Sequence, residues 1–449
     1  MGNISLLFFS LLFFGLVLLY LKKRSTDLDI IDIYIIFIAL YFGIYPFIRG
    51  LYLGKGVVYD SFNSNYLAIA LVFLQVYLIV FIIRAISVYF PEETNKYLKI
   101  KTLIEHWGRV DIFVVLSIYC ILIIFQIVSY YKYGVKLHIL PEDFAKIGKD
   151  LPYWLTSMRT IYNYLSLCVF IALAAKVAIS APRTRYFWIA LILIFLPFIS
   201  YSGRKALANI VVMGAIISLV RREENFIQVK YLKIAALMVF SFFLMSNIYQ
   251  TYRSNLMTVG ASLGKLGNPI SAALNFNATL RNLKERPGTW EFNYLVFDKQ
   301  LKEPGKMTTN GEITREGFKS AIPRVFWPGK KFQDTSDILA ELYNSKFEVG
   351  TNIFGVAQAE FGYFSIIIVP LAILLIIIMI AGLMRVTINY PVFFWLLSVN
   401  ILNFLICVEE NQNELIFVVR NTIGIMAIYS LYLLINKIIS GINIKRYST

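Results

Sequence analysis

The chain is poor in the residues that usually hold metals or crosslinks: three cysteines and two histidines in 449 residues. Cys120, Cys168 and Cys407 all fall inside apolar stretches, where a thiol serves as a small apolar filler, so no disulfide framework is implied. His106 and His138 lie far apart in different loops, which argues against a histidine metal centre. No Gly-x-x-x-x-Gly-Lys loop is present to cradle a nucleotide. Neither a metal nor a cofactor is therefore expected. Acidic residues are also scarce, 27 against 43 Lys and Arg, giving a net charge of +16. That excess does not mark a nucleic-acid binder, because the basic residues sit mainly in short loops between apolar runs.

Charge of either sign is thin, at 16% of residues, while 58% are hydrophobic and the mean hydropathy is +0.67. No soluble domain of this size is so apolar, so the class is an all-α polytopic membrane protein. About eleven runs approach the roughly 20 residues that cross a bilayer. Before the middle of the chain they are Ile4–Leu21, Ile30–Ile48, Tyr66–Val88, Val110–Tyr130, Arg159–Ala178, Tyr186–Ile199, Ala206–Val220 and Ile234–Tyr249. After it come Ser365–Met384, Val392–Cys407 and Leu415–Ile435. The first run is expected to be retained as a span, since no basic stretch precedes it and no small-residue cleavage site follows.

Between these groups lies the one long polar segment, about Thr251 to Phe364. The expected organisation is then an N-terminal membrane part (1–250), a large external loop (251–364) and a C-terminal membrane part (365–449). Alternate short loops are rich in Lys and Arg: Lys22, Lys23 and Arg24, then Lys96 to Arg109, Lys176 to Arg185, Arg221 to Lys233, and Lys437 to Arg446. The positive-inside bias makes that side cytoplasmic, with the C-terminus, and puts the long loop outside. The loop is read as a structured cap with helices at Ile270–Lys284 and Ser336–Tyr343 and an aromatic surface at Trp290–Tyr294.

Several cations and carboxylates converge on the outer side. Ser202-Gly203-Arg204-Lys205 forms a tight turn, where Arg204 either snorkels to lipid phosphate or builds an anion site at a helix N-terminus. Arg253 follows the exit of a span. Arg324 sits in Pro323-Arg324-Val325-Phe326-Trp327-Pro328, with Lys330 beyond, and prolines on both sides give the guanidinium a rigid mount. The competing account is an interfacial anchor built on Trp327. Glu360 stands just before a span, and Glu409, Glu410 and Glu414 crowd a short outer turn. Arg420 lies inside the last span, where a cation is costly unless it is paired, with Glu410 or Glu414, or faces a polar cavity. Arg159 begins another span and reads as interfacial. The set suits chemistry on an activated lipid-linked donor, with arginines on a pyrophosphate and a carboxylate, Glu360 first and Glu410 second, handling a hydroxyl proton.

In these residues the chain resembles the bacterial oligosaccharide repeat-unit polymerases, the Wzy-type polymerases of O-antigen and capsule. Ser202-Gly203-Arg204, Ile322-Pro323-Arg324 with Trp327-Pro328 and Lys330, and Ala359-Glu360-Phe361-Gly362 carry the resemblance. It implies a GT-C-like membrane glycosyltransferase without metal, acting on the outer face of the cytoplasmic membrane. Such an enzyme moves a glycan from undecaprenyl pyrophosphate onto another undecaprenyl-linked unit. The implied partners are those lipid-linked oligosaccharides, the bilayer, a chain-length regulator and a flippase of the same pathway. O-antigen ligases share the architecture but rely on a histidine in the large external loop, and this loop has none. A lipid-linked oligosaccharide flippase is the alternative from another class; it predicts evenly short loops and repeat symmetry.

Overall fold

The computed structural model describes residues 2–24, 28–52, 65–133, 152–199, 213–214, 216–217, 289–304, 308–322, 326–327, 329, 331, 333, 335–343, 351–406, 408 and 413–446. Among these the chain is helical, without a strand; Asp29 and Lys99 make only an isolated bridge. The first helices are α1 (Gly2–Arg24), α2 (Ile30–Ala39), α3 (Tyr45–Tyr52) and α4 (Tyr66–Ser87). They are followed by α5 (Glu92–Leu98), α6 (Ile100–Trp107), α7 (Ile112–Tyr133), α8 (Tyr153–Ile179) and α9 (Pro182–Ile199). Past the middle come α10 (Thr289–Lys302), α11 (Glu312–Ala321), α12 (Thr335–Tyr343) and α13 (Ile353–Phe361). The chain ends in α14 (Ser365–Val386), α15 (Pro391–Ile406) and α16 (Asn413–Arg446).

Five described helices are long and apolar enough to cross a membrane, and six if the bent pair α6 and α7 forms one span. Tyr164–Ile179 and Pro391–Ile406 are shorter apolar helices. The sequence led to a larger number, about eleven. Every expected span is helical here except Ala206–Val220 and Ile234–Tyr249, which lie outside the described residues apart from 213–214 and 216–217. The expected helix at Ile270–Lys284 also lies outside them.

Proline explains the irregularities. A five-residue π turn, Leu40–Ile44, joins α2 to α3 just ahead of Pro46, which has no N–H to donate back into the preceding turn. Pro370 lies inside the first turns of α14, where it removes one backbone bond.

One end of the bundle gathers the basic loops. Arg24 closes α1 and Arg84 closes α4, and both reach Asp29, at 3.0 and 2.7 Å. Arg24 also pairs with the fully buried Asp32 at 3.3 Å, and Tyr20 donates to the same carboxylate. Two arginines facing two aspartates offset the desolvation that an unpaired charge would suffer there. Asp29 also caps α2 through the amides of Ile31 and Asp32, both at 2.9 Å. At this end the Ile100 amide donates to Leu28 at 3.0 Å, Arg385 pairs with Glu93, and Gly108 abuts Ile179. The Tyr429 hydroxyl donates to the Val386 carbonyl, which brings the second half of α16 to the same end.

The opposite end holds α10 to α13. α10 is not a surface cap: Trp290, Phe292 and Tyr294 are buried. This corrects the expected aromatic surface at Trp290–Tyr294. Trp290 stacks on Tyr294 with centroids 5.6 Å apart and meets Phe73 of α4 at 6.4 Å, so the segment spends its aromatics on helix packing. α13 is buried from Ile353 to Glu360 and runs through the short turn Gly362–Phe364 into α14. Gly362 has φ +56°, a conformation in which an L side chain would be strained.

Candidate active site

The opposite end is built by helix caps that do two jobs. Asn65 caps α4: its amide oxygen accepts from Leu67 at 3.1 Å and Ala68 at 3.3 Å. Its amide nitrogen donates to Asp298 of α10 at 2.9 Å, and its backbone N–H donates to the Tyr294 hydroxyl at 3.1 Å. Asn352 repeats the device, its oxygen accepting from Phe354 and Gly355 at 3.0 Å and its nitrogen donating to Asn293 at 2.7 Å. Two caps thus pin α10 to the starts of α4 and α13. Asp298 is also paired with Lys302 at 2.6 Å, and that hydrogen bond raises the Lys302 pKa. Gly355 lets the helices close, since a Cβ there would collide with Asn293 and the Phe292 ring.

Below the caps, Gln75 of α4 donates to the Phe354 carbonyl, Gln358 and Ser365 at 3.2, 3.1 and 3.0 Å. Gln358 in turn donates to Gln300 of α10 at 2.8 Å. Between apolar helices such interhelical bonds act as glue, worth about 0.6 to 2 kcal/mol each.

Glu360 stands at the end of α13 and faces α11. Its carboxylate accepts from the Thr314 amide and the Thr314 hydroxyl, both at 2.8 Å. Thr314 is in the first turn of α11, and the residue before that helix is Gly311, which has no side chain to cap it. Glu360 therefore supplies the missing cap from another helix, a favoured place for an anion. Both oxygens face Thr314 and the residue is buried. The geometry gives Glu360 a task in holding α11.

α11 is held at a second point. Gly317, one turn on from Thr314, sits directly on Asn413 and Ile416 at the start of α16. Asn413 also donates to Thr335, the first residue of α12, at 2.8 Å. On the flank of α11, Glu316 accepts from Lys319 at 2.6 Å and from the Gln333 amide at 3.2 Å. These bonds, Lys319 first, hold the Glu316 pKa below the usual carboxylate range. The outer face of α11 stays apolar and exposed at Phe318 and Ile322, and the exposure continues at Phe326 and Trp327.

Arg420 lies about two turns, roughly 10 Å, along α16 from Asn413. It is half-buried. Its guanidinium lies over Phe417, 4.6 Å from the ring centroid, and donates to Asn421 at 3.2 and 3.4 Å. Glu414 attracts it at longer range, and no carboxylate among the described residues is within ion-pair distance. Ser202, Gly203, Arg204, Arg253, Arg324, Lys330 and Glu410 lie outside the described residues, and nothing is described of the Arg159 side chain. Glu360 and the start of the helix bearing Arg420 both meet α11, at Thr314 and at Gly317.

Two features escape the sequence reading. One is the pair of capping asparagines, which look like ordinary loop residues. The other is Gly260-Ala261-Ser262-Leu263-Gly264, whose spacing matches a nucleophile elbow. It lies outside the described residues, and the strand that such an elbow needs has no counterpart among them.

The fold defines a multi-pass helical membrane protein. No family model matches the chain, and none of the characterised proteins or solved structures compared with it does.

Proposed function

We propose that the chain is a membrane glycosyltransferase that polymerises undecaprenyl-pyrophosphate-linked oligosaccharide repeat units into a surface polysaccharide. The observation that carries this reading is the double attachment of α11. The helix is fixed to Glu360 at its first turn and to Asn413 at Gly317, and the chain then runs from Ala321 straight into Pro323-Arg324. The stretch with Glu360 and the helix that leads into Pro323-Arg324 thereby meet at the end of the bundle away from the basic loops.

In this reading that end faces outward. A hydroxyl of the acceptor sugar attacks the anomeric carbon of the donor glycan as the bond to the pyrophosphate oxygen breaks. Arg324 and Arg420 take the charge that builds on the departing lipid pyrophosphate, with Arg204, Arg253 and Lys330 around them. Glu410 takes the hydroxyl proton, because Glu360 is committed to α11. Ser202 and Gly203 shape the turn that presents Arg204, and Trp327 sets the depth of the Arg324 turn.

Deletion of the gene tests the reading. Cells without it should carry single repeat units where the parent carries long chains. Unchanged chain length, or loss of even the single unit, would point to a ligase, a flippase or another step.

A further inference from the structure

Arg420 is not left to find its own orientation. Asn400 of α15, buried in the apolar interior, donates its amide to the Val418 carbonyl at 2.9 Å and to the Thr422 hydroxyl oxygen at 3.0 Å. Those two bonds use both of its N–H groups and turn its oxygen toward Asn421. Asn421 donates to that oxygen at 3.4 Å. Its own oxygen is thereby left facing Arg420, and it accepts from Nε at 3.4 Å and Nη2 at 3.2 Å. Donation runs one way, from the guanidinium through Asn421 and Asn400 to the α16 backbone. A guanidinium has five N–H donors. Nη1 and the second hydrogen of Nη2 meet no acceptor among the described residues. Phe417 covers one face of the cation, so an anion is met edge-on, in the plane where a guanidinium can bind two oxygens.

We propose that Asn421 and Asn400 are positioning residues that aim Arg420 at a diphosphate group. This rests on the polymerase reading for the identity of that diphosphate, the lipid-linked donor. The same chemistry is offered by a phospholipid headgroup, so the test must separate the two. Purified full-length protein in phosphatidylcholine nanodiscs is titrated with geranylgeranyl diphosphate, alongside thermal melting. Asn421→Leu and Asn400→Leu should each weaken binding about tenfold, which is about 1.4 kcal/mol. In an Arg420→Gln background the same two changes should have no further effect. Asn421→Asp gives the guanidinium back an acceptor, so a merely structural role would be rescued. Competition with the diphosphate instead predicts a loss larger than that of Asn421→Leu. Asn421 lies nearer the surface than Asn400, so its variants keep the test valid where Asn400→Leu lowers the melting temperature. Additive losses, or equal affinity of wild type and Arg420→Gln, would overturn the proposal; the latter assigns Arg420 to a lipid headgroup. If Arg420→Gln loses diphosphate affinity but deletion of the gene leaves chain length unchanged, the proposed function fails and the positioning stands.

Discussion

Glu360 and Thr314, 46 residues apart in the chain, are joined by two hydrogen bonds of 2.8 Å, one to the amide and one to the hydroxyl. The carboxylate thus closes the first turn of a helix that its own N-cap, Gly311, leaves open. Removing a capping side chain typically costs about 1 kcal/mol. Glu360→Ala should therefore lower the melting temperature of the purified protein and weaken polymer formation. Glu360→Gln still presents an oxygen to the Thr314 amide, and it should retain polymerisation to within about tenfold, some 1.4 kcal/mol of barrier. A Glu360→Gln protein that melts like wild type and makes no polymer would return this carboxylate to the role of base.

Gly355 is where α13 touches α10. A methyl group there would overlap Asn293 and the Phe292 ring, and both are buried with no room to retreat. Overpacking of this kind costs about 1 to 3 kcal/mol. Gly355→Ala should also strain the Asn352–Asn293 bond of 2.7 Å beside it. Thermal melting in detergent should show a clear drop. A melting curve that overlays wild type would mean that α10 and α13 are not packed this closely.

Much of the membrane body was legible in the sequence, because long apolar runs need no partner to identify them. α12 was legible too, expected at Ser336–Tyr343 and found at Thr335–Tyr343. The attachments of α10, α11 and α13 were not. The cap of α11 comes from Glu360 and the room for α10 from Gly355, both distant in sequence, and no local pattern announces either. Trp290–Tyr294 reads as aromatic surface because it lies within the long polar segment. Phe73 and the Asn352 cap draw it inside instead. At Arg420 the sequence shows the charge but not the amides that orient it. Asn400 and Asn421 are also polar residues within apolar runs, and an interior polar residue needs a partner just as the cation does.

Glu316 gives α11 a dependence on pH. Its pKa is held below the usual carboxylate value of about 4.3, chiefly by the Lys319 bond. The ionised form is the one favoured by folding. Its contribution is fully present above the unfolded value and is lost as pH falls through the lower, folded value. Glu316→Gln should thus melt below wild type at pH 7, and the gap should narrow at pH 3. A gap of constant size across that range would separate the effect from ionisation.

The arrangement of charge at the two ends makes an orientation testable. Lys101 is exposed at the end shared by Arg24, Arg84 and Arg385, whereas Thr308 precedes α11 at the other. By the positive-inside bias the first end is expected on the cytoplasmic side. In outer-membrane-permeabilised cells, a membrane-impermeant thiol reagent should label Thr308→Cys and leave Lys101→Cys unlabelled until the inner membrane is opened. The reverse pattern would invert the protein and remove the outward-facing site.

Arg324 separates charge from geometry. It follows Ala321, the last residue of α11, by three positions, and α11 is held at Thr314 and Gly317. Pro323 fixes a backbone angle just before it, and the exposed Phe326 and Trp327 can anchor the turn at the membrane interface. A guanidinium on such a mount can grip two phosphate oxygens together, while lysine offers one mobile point charge. Departure of the pyrophosphate concentrates negative charge on the leaving group, so a fixed donor helps most in the transition state. Losing such a donor typically costs on the order of 3 kcal/mol, about a hundredfold in rate. Arg324→Ala and Arg324→Lys should both lose most turnover in a reconstituted assay with lipid-linked repeat units. An interfacial anchor behaves differently, because lysine snorkels as well as arginine does. Near-normal turnover by Arg324→Lys would leave this residue the anchoring role alone and shift the burden of pyrophosphate departure to Arg420.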